Sequence, residues 1–150
     1  MNIYLILLLF FLLFLCYCKN KKQGFEIYDS LNVYDEELER CTSIDSEKPT
    51  GYYRDGYCNT GENDRGTHTV CAKVTDDFLE YTKSLGNDLI TPRGESFKGL
   101  EENDYWCLCA IRWKQAYDED PNLAPEIKIE STHNKTLEFI DKSILELKKI

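Results

Sequence analysis

The residues best suited to chemistry cluster between Thr50 and Thr75, a stretch that reads TGYYRDGYCNTGENDRGTHTVCAKVT. It holds four of the eight glycines of the chain, which recur every five residues from Gly51 to Gly66. This spacing predicts a structured loop, because glycine permits sharp turns and close approach of the backbone. Structured loops carry binding and catalytic residues more often than regular elements do. Neither of the glycine patterns that cradle phosphates is present.

Cys58, His68 and Cys71 lie in this glycine-rich loop and could act as nucleophile and base. A cysteine thiolate is nucleophilic, and an imidazole within hydrogen-bonding reach can accept its proton. Asp55 or Asp64 could orient the histidine. A small thiol-dependent enzyme is therefore one candidate function. The alternative for His68 is a loop histidine whose ring is satisfied by the backbone.

The same three residues, with Cys107 or Cys109 as a further ligand, could bind zinc. Zinc prefers thiolate and imidazole ligands and takes four of them in a tetrahedron. The spacing C-x9-H-x2-C-x35-C-x-C lacks the CxxC pairs that mark a structural zinc site. The alternative for Cys71, Cys107 and Cys109 is a small buried hydrophobic residue.

Disulfides are a third use of these sulfur atoms, since five of the seven cysteines follow residue 18. Because five is odd, the cysteines of this part cannot all pair with one another. In an oxidising compartment we expect one or two disulfides, and the sequence leaves their connectivity open. A disulfide-stapled structural domain is the corresponding candidate function. The five are Cys41, Cys58, Cys71, Cys107 and Cys109.

Arg54, Asp55 and Arg112 are the candidate ligand-binding residues. An arginine beside Tyr52 and Tyr53 in a glycine-rich loop can hold a carboxylate or phosphate with its planar guanidinium. The leading hypothesis is therefore a ligand-binding or thiol/metal module built on the loop, with a small anionic ligand as its partner. The alternatives are a structural ion pair at Arg54 and a surface salt bridge at Arg112.

The balance of charge excludes one class of partner. The net charge is −9, and residues 1–18 contain no charged side chain, so the rest of the chain carries this charge. Nucleic-acid backbones are bound by clustered lysine and arginine. We therefore expect no nucleic acid among the partners. With 150 residues, of which 42% are hydrophobic, the chain is long enough for one domain with its own core.

Residues 1–18 form a hydrophobic leader, and residues 3–18 are apolar or weakly polar throughout. This run is just short of the ~17 residues that cross a bilayer as a helix, which favours a signal peptide cleaved before Lys19. The lysines that follow it leave open a signal anchor, with the domain on either side of the membrane. The predicted location is the secretory pathway, secreted or lumenal, or else anchored by residues 3–18. Contact with a membrane is expected only through those residues. A lumenal chain could be glycosylated at Asn134, which begins an N-x-T sequon.

The elements that position these residues are expected to be short. After a linker at residues 19–30, residues 31–150 are predicted to form a single α+β domain with three or four strands and three or four helices. Thr75 is a good N-cap for a first helix over about 76–85. Trp106, Ala110, Trp113 and Tyr117 recur at helical spacing and predict a second helix over 105–118, with a strand over 105–111 as the alternative. The glycine-rich loop is expected to pack on that second helix.

The remaining elements follow from shorter patterns. Apolar residues predict strands near 31–34 and 70–74, and the alternating sequence EIKIE predicts a half-buried strand over 126–130. Ser131 or Thr132 is expected to cap a third helix with Leu137 and Ile140 inward. Asp141 is expected to cap a last helix, with Ile144, Leu145 and Leu147 inward.

Four stretches of the chain resemble the uncharacterised bacterial family called domain of unknown function 2237. They are TGYYRDGYCNTG, GTHTVCAKVTDDFLEY, GNDLITPR and DYWCLCAIRW, and a later STH belongs with them. The resemblance covers about residues 31–148. It implies an α+β fold in a small, usually cytosolic protein, and it supplies no activity. Lys98 and Asn103 stand where the family tends to have proline and glycine, and the leader would place a normally reduced design in an oxidising lumen.

Overall fold

The computed structural model describes residues 30–150, which form a mixed α+β domain and confirm the predicted fold class. The predicted leader and all of the predicted linker except its last residue lie outside the described residues. No helix within residues 30–150 is long and apolar enough to cross a membrane. The elements in chain order are β1 His68–Lys73, α1 Asp76–Ser84, β2 Tyr105–Cys109, α2 Ala110–Glu119, two 3-10 turns at Ile129–Ser131 and Asn134–Glu138, and α3 Lys142–Leu147.

Strands β1 and β2 pair antiparallel at the centre of the domain. Side chains of a strand point alternately to its two faces, and here each face has a different role. Val70 and its partner Leu108 belong to the main apolar core, while Cys71 and its partner Cys107 belong to a separate cluster of buried cysteines. The sheet therefore has an apolar face and a face that carries disulfides, which we call the disulfide face.

The apolar core packs α1 and α2 against the sheet. Trp113 of α2 is fully buried, and its indole N–H donates to the carbonyl oxygen of Pro125 at 3.0 Å. This bond satisfies the one polar atom that such a side chain brings into a core. Other fully or almost fully buried members are Val70, Ala72, Val74, Phe78, Leu79, Ala110, Ala116, Ile127, Ile129, Ile140 and Leu145.

Helix α1 confirms the sequence prediction. The Thr75 hydroxyl accepts a hydrogen bond from the Phe78 N–H at 3.3 Å, as expected of an N-cap. Asp76 and Asp77 occupy the first turn, where the helix dipole favours negative charge. The helix ends before Gly86, whose φ of +84° is a left-handed conformation that favours glycine.

The second predicted helix is wrong over its first five residues. Tyr105–Cys109 is strand β2, and the helix begins only at Ala110. The strand forms because its backbone pairs with β1, and the Cys107 N–H also donates to the Thr50 hydroxyl at 2.7 Å. Its three central residues are all buried, so the polar–apolar alternation that identifies a half-exposed strand is missing.

The predicted outer strands are reduced to single bridges in the described chain. Leu31 and Asn32 bridge Glu37 and His133, and Ile127 bridges Ala72 and Lys149. The predicted half-buried pattern over 126–130 is present, since Ile127 and Ile129 are fully buried, but Ile129 begins a 3-10 turn and no strand forms. Lys128 donates its N–H to the carbonyl oxygen of Cys71, which keeps the segment beside β1.

The C-terminal region also differs from the prediction in detail. In place of the third helix there is a short 3-10 turn capped by His133, and Leu137 is 40% exposed whereas Ile140 is buried. Helix α3 follows Asp141 as expected, and Leu145 is its buried side chain, but Leu147 is 77% exposed. Single inward positions are enough in these short elements, because each contributes only one turn to the core.

Candidate functional site

Two disulfides fasten the glycine-rich loop and the segment before it to the disulfide face. Cys71 and Cys107 lie opposite each other in the ladder and bond to Cys41 and Cys58, with Cα–Cα distances of 5.5 and 5.1 Å. All four sulfur-bearing side chains are buried. The predicted disulfides are confirmed. The Cys58–Cys107 bond joins the loop to strand β2, which occupies the first part of the helix on which the loop was expected to pack.

These bonds correct the two predictions that required free thiolates. The sulfur atoms of Cys41, Cys58 and Cys71 lie within 4.8 Å of one another, which is close enough to share a metal ion if they were reduced. As disulfides they offer no thiolate, so the donors do not fit the predicted zinc site at Cys58, His68 and Cys71, whether Cys107 or Cys109 is the further ligand. For the same reason neither Cys58 nor Cys71 can be a nucleophile in this form.

Cys109 is the free cysteine of residues 30–150. It is the last residue of β2 and the N-cap of α2, and its side chain is only partly buried. A thiol at this junction of strand and helix lies at the edge of the sheet and can be reached from solvent.

A β-bulge determines which residue faces this thiol. Cys71 pairs with Cys107, so a regular ladder would place Thr69 opposite Cys109. The ladder is irregular between His68 and Val70, and His68 becomes the partner of Cys109. Bulges often re-aim a side chain next to a functional site. Here the bulge makes His68, and not Thr69, the cross-strand partner of the residue that carries the thiol, and Thr69 is buried.

The imidazole of His68 is held by a buried carboxylate. Its Nδ1 lies 2.6 Å from Oδ1 of Asp64, whose side chain is 0% exposed while that of His68 is 41% exposed. The other carboxylate oxygen accepts the His68 N–H at 2.9 Å and the Thr60 hydroxyl at 3.0 Å. The ring is thus fixed by its inner nitrogen, and Nε2 is left for another partner.

The charge state of Asp64 follows from these bonds. Burial by itself would raise the pKa of Asp64, but the hydrogen bonds from the backbone and side chain of His68, its charge and the Thr60 hydroxyl together lower that pKa below its usual value. The carboxylate is therefore ionised at neutral pH and accepts the proton on Nδ1. This places the lone pair of a neutral His68 ring on Nε2.

Gly66 makes room for this ring. A Cβ atom at position 66 would lie 2.3 Å from Cε1 and 2.8 Å from Nε2 of His68. No side chain fits there unless the imidazole moves. One of the four regularly spaced glycines thus serves a close approach of backbone and ring, as the loop pattern predicted.

His68 and Cys109 open into one cleft of about 410 Å³ between the glycine-rich loop, strand β2 and the loop after α1. This volume suits a small molecule. Trp106 and Phe97, whose ring centres are 5.6 Å apart, form its apolar wall. The other lining residues that matter here are Tyr52, Arg54, Asp88, Leu89 and Arg93.

Two guanidinium groups supply positive charge at this cleft. Arg54 lies over the Trp106 ring at 4.8 Å from its centre, and Arg93 donates to the carbonyl oxygen of Asp88 at 2.8 Å. Neither arginine takes part in an ion pair with any residue of the described chain. Although Arg54 is exposed as a whole, partial burial lowers the pKa of its guanidinium, which stays protonated at neutral pH.

One acidic side chain also lines the cleft, but it is committed to its own loop. The side chain and N–H of Thr91 and the N–H of Ile90 donate to Asp88 and lower its pKa to about 2. The carboxylate therefore shapes the turn over 88–91. The carboxylate is ionised at neutral pH, so the cleft holds two guanidinium groups and one negative charge, and the guanidinium groups are those that can attract an anion.

Two of the predicted ligand-binding residues lie elsewhere. Asp55 accepts the N–H of Tyr57 within its own turn, and Arg112 donates to Gln115 on the surface of α2. The loop is fastened by Arg40, which donates to the carbonyl oxygen of Asp55 at 2.6 Å. Asn134 is half-buried, and its side chain donates to Asp35 at 3.4 Å. Glycosylation there stays a prediction.

The glycine-rich loop predicts roles for His68, Asp64 and Arg54. Nothing in it predicts that His68 shares a cleft with Cys109, or Arg54 with Arg93. The predicted roles of Cys109 are metal ligand, disulfide partner or small buried residue, and none of them is a nucleophile; no role is predicted for Arg93. The odd number of cysteines pointed to one free thiol without identifying it. The sequence carries no local signal for the bulge that pairs this cysteine with His68.

The fold and this cleft define a small disulfide-bonded α+β domain with one free thiol in its described part. Over residues 31–149 the chain matches the family described as "Uncharacterized protein conserved in bacteria (DUF2237)". The match spans well over half of the chain, so this protein belongs to that family, as the resemblance in its sequence indicated. A search of curated proteins finds no match.

Proposed function

We propose that this domain binds a small anionic compound in the cleft and presents Cys109 to it. The observation that supports this proposal most strongly is the placement of Arg54 and Arg93 at one cleft, without an acidic ion-pair partner in the described chain. The chain as a whole has a net charge of −9, whereas two guanidinium groups outnumber the single acidic side chain that lines this cleft. The local charge is therefore opposite in sign to that of the molecule and can attract an anion.

The geometry of Arg54 supports the same proposal. Its φ of +59° is a left-handed conformation that costs free energy for a residue with a side chain. The fold nevertheless holds Arg54 in this conformation, in which its guanidinium lies over the Trp106 ring beside the cleft. A planar guanidinium held in this way can form two parallel hydrogen bonds with a carboxylate or phosphate.

The two disulfides support a location in the secretory pathway, either secreted or lumenal, since such bonds persist in oxidising compartments. They also indicate a rigid scaffold around the cleft. Membrane attachment through residues 3–18 stays part of the proposal, and nucleic acid is not among the proposed partners.

The experiment is calorimetric titration of the full chain, produced in a secreting eukaryotic host, with succinate, inorganic phosphate and the neutral analogue succinamide. We expect binding of at least one anion and none of succinamide. Arg54→Gln should weaken anion binding by about tenfold or more, because a hydrogen bond to a charged group contributes ~1.5 kcal/mol or more. Glutamine keeps a side chain at the left-handed position, so the backbone strain is matched.

Arg112→Gln is the control, since this arginine lies on the surface of α2 away from the cleft. It should leave the affinity unchanged. Equal losses in both variants, or no binding of either anion, would overturn the proposal. The remaining function would then be that of a disulfide-stapled structural domain.

A further inference from the structure

We propose that Cys109 is a catalytic nucleophile, with His68 as its general base and Asp64 as the residue that positions the base. The reaction inferred is hydrolysis of an acyl bond in a small compound that carries a second, anionic group. The requirement for an anionic group in the compound rests on the proposed function of the cleft. The nucleophile and base rest on the geometry of β1 and β2 alone.

The first support is the position of thiol and imidazole. His68 and Cys109 are partners in the antiparallel ladder, at the bulge where the register is irregular. Cross-strand partners are neighbours whose side chains can interact. Both line the same cleft. No hydrogen bond joins the two side chains in the described chain, and catalytic contacts of this kind often tighten only when substrate is bound.

The second support is the direction in which the imidazole can act. Its Nδ1 is held by the ionised Asp64 at 2.6 Å, so Nε2 is the nitrogen that can accept a proton. A nucleophile, a base and a third group that orients the base are the recurring parts of nucleophilic catalysis. Asp64 is suited to the third role because its side chain is completely buried and makes three hydrogen bonds to the loop and ring.

The third support is the electrostatic setting of the thiol. Cys109 directly precedes α2, a helix of 10 residues with no acidic residue in its first turn. The N-terminus of a helix carries a partial positive charge that favours an anion. Reactive cysteines are found in such electropositive and partly exposed surroundings, and this combination distinguishes Cys109 from the four buried cysteines.

The chemical step balances without any redox partner. Nε2 of His68 accepts the proton of Cys109 as Sγ bonds to the acyl carbon, and the same proton passes to the leaving group when its bond to that carbon breaks. The product is a thioester at Cys109. Water then adds to the thioester and gives a proton to His68, which returns it to sulfur as the C–S bond breaks. The sum is one acyl compound and one water converted into a carboxylic acid and the released group.

The test uses two activated esters, the anionic 4-nitrophenyl succinate and the neutral 4-nitrophenyl butyrate, with the full chain from a secreting host. Release of nitrophenolate gives the rate, and intact-protein mass spectrometry after acid quench identifies an acyl group on Cys109. We expect a burst with the wild type and no adduct with Cys109→Ser. His68→Gln should slow acylation by both esters about 100-fold or more, the contribution typical of a general base.

Asp64→Asn tests whether Asp64 positions the general base or only stabilises the fold. Because Asp64 does not line the cleft, the variant should lower the maximal rate of acylation by about tenfold or more, while the ester concentration at half-maximal rate stays unchanged. Arg54→Gln should raise that concentration for the succinate ester and not for the butyrate ester. Arg112→Gln should change neither.

Two outcomes would overturn the inference. One is an acylation rate of His68→Gln equal to that of the wild type. The other, which needs no variant to fold, is a wild-type rate no faster than that of N-acetylcysteine at the same pH. An unchanged ester preference in Arg54→Gln would count against the proposed anion site only. If the anion site fails this test while His68→Gln still slows acylation, the assignment of Cys109 as the nucleophile holds.

Discussion

At the residue scale, the two histidines of this chain have opposite surroundings. His68 is partly exposed and paired with a carboxylate, whereas His133 is buried, and its Nδ1 accepts the N–H of Lys135 at 3.0 Å. Burial, and to a lesser extent the positive charge of Lys135, lowers the pKa of His133. The folded protein therefore favours the neutral form of this ring.

This pKa shift makes stability depend on pH. Because the folded pKa lies below the unfolded value of about 6.5, the unfolded chain binds the proton more readily. The free energy of unfolding should fall as pH drops from about 6.5 toward the lowered folded pKa, and the loss should level off below it. His133→Asn should remove this part of the pH dependence, because asparagine does not titrate. Its side chain can still accept the same N–H as an N-cap.

The measurement is urea unfolding of the wild type and His133→Asn between about pH 7.5 and 5, with disulfides intact. The carboxylates common to both proteins cancel in the comparison. Parallel pH profiles for the two proteins would contradict the assignment of His133 as a neutral buried cap.

At the scale of elements, Thr75 is the N-cap of α1, and its hydroxyl satisfies one N–H that the helix itself cannot. Thr75→Ala should lower the free energy of unfolding by ~1 kcal/mol, the usual effect of losing such a cap. Thr75→Ser keeps the hydroxyl and should cost much less. Equal losses for alanine and serine, measured by urea unfolding without reductant, would show that the methyl group and not the cap matters.

The contrast between α1 and β2 shows how far the sequence could predict the elements. Helix α1 was predictable because its cap, its acidic first turn and its terminal glycine are all local signals. Strand β2 was predictable only as the alternative to a helix, since Trp106 stands at helical spacing from Ala110 and Trp113. What makes Tyr105–Cys109 a strand is its partner β1, more than thirty residues earlier. Pairing over such a separation is a tertiary effect that local periodicity does not encode.

The candidate site shows the same division. The glycine pattern located the loop, and the pair of His68 with Asp64 was predictable because the two lie four positions apart in one turn-rich segment. The partner Cys109 was out of reach. Its choice over Cys107 depends on a disulfide from Cys58 and on a bulge in β1. Both are settled only when the strands assemble.

At the scale of the whole molecule, the count of cysteines was informative and their order was not. Five cysteines after residue 18 imply an unpaired one, but the pairs themselves depend on which Cα atoms come within about 7 Å. The observed pairs cross in sequence, since Cys58 lies between Cys41 and Cys71 while its partner Cys107 lies beyond both. The resulting oxidised domain differs from the reduced cytosolic design that the family resemblance implies.

The crossed pairs have a consequence for what happens when a protease cuts this chain. Any single cut between residues 41 and 107 leaves two pieces that are still joined by at least one disulfide. The exposed loop over 91–96 contains Arg93, a natural point of attack for trypsin. A molecule nicked there should run at its full mass on a non-reducing gel and as two fragments after reduction. Separation without reductant would show a different pairing. Damage to the chain would thus leave the domain covalently whole.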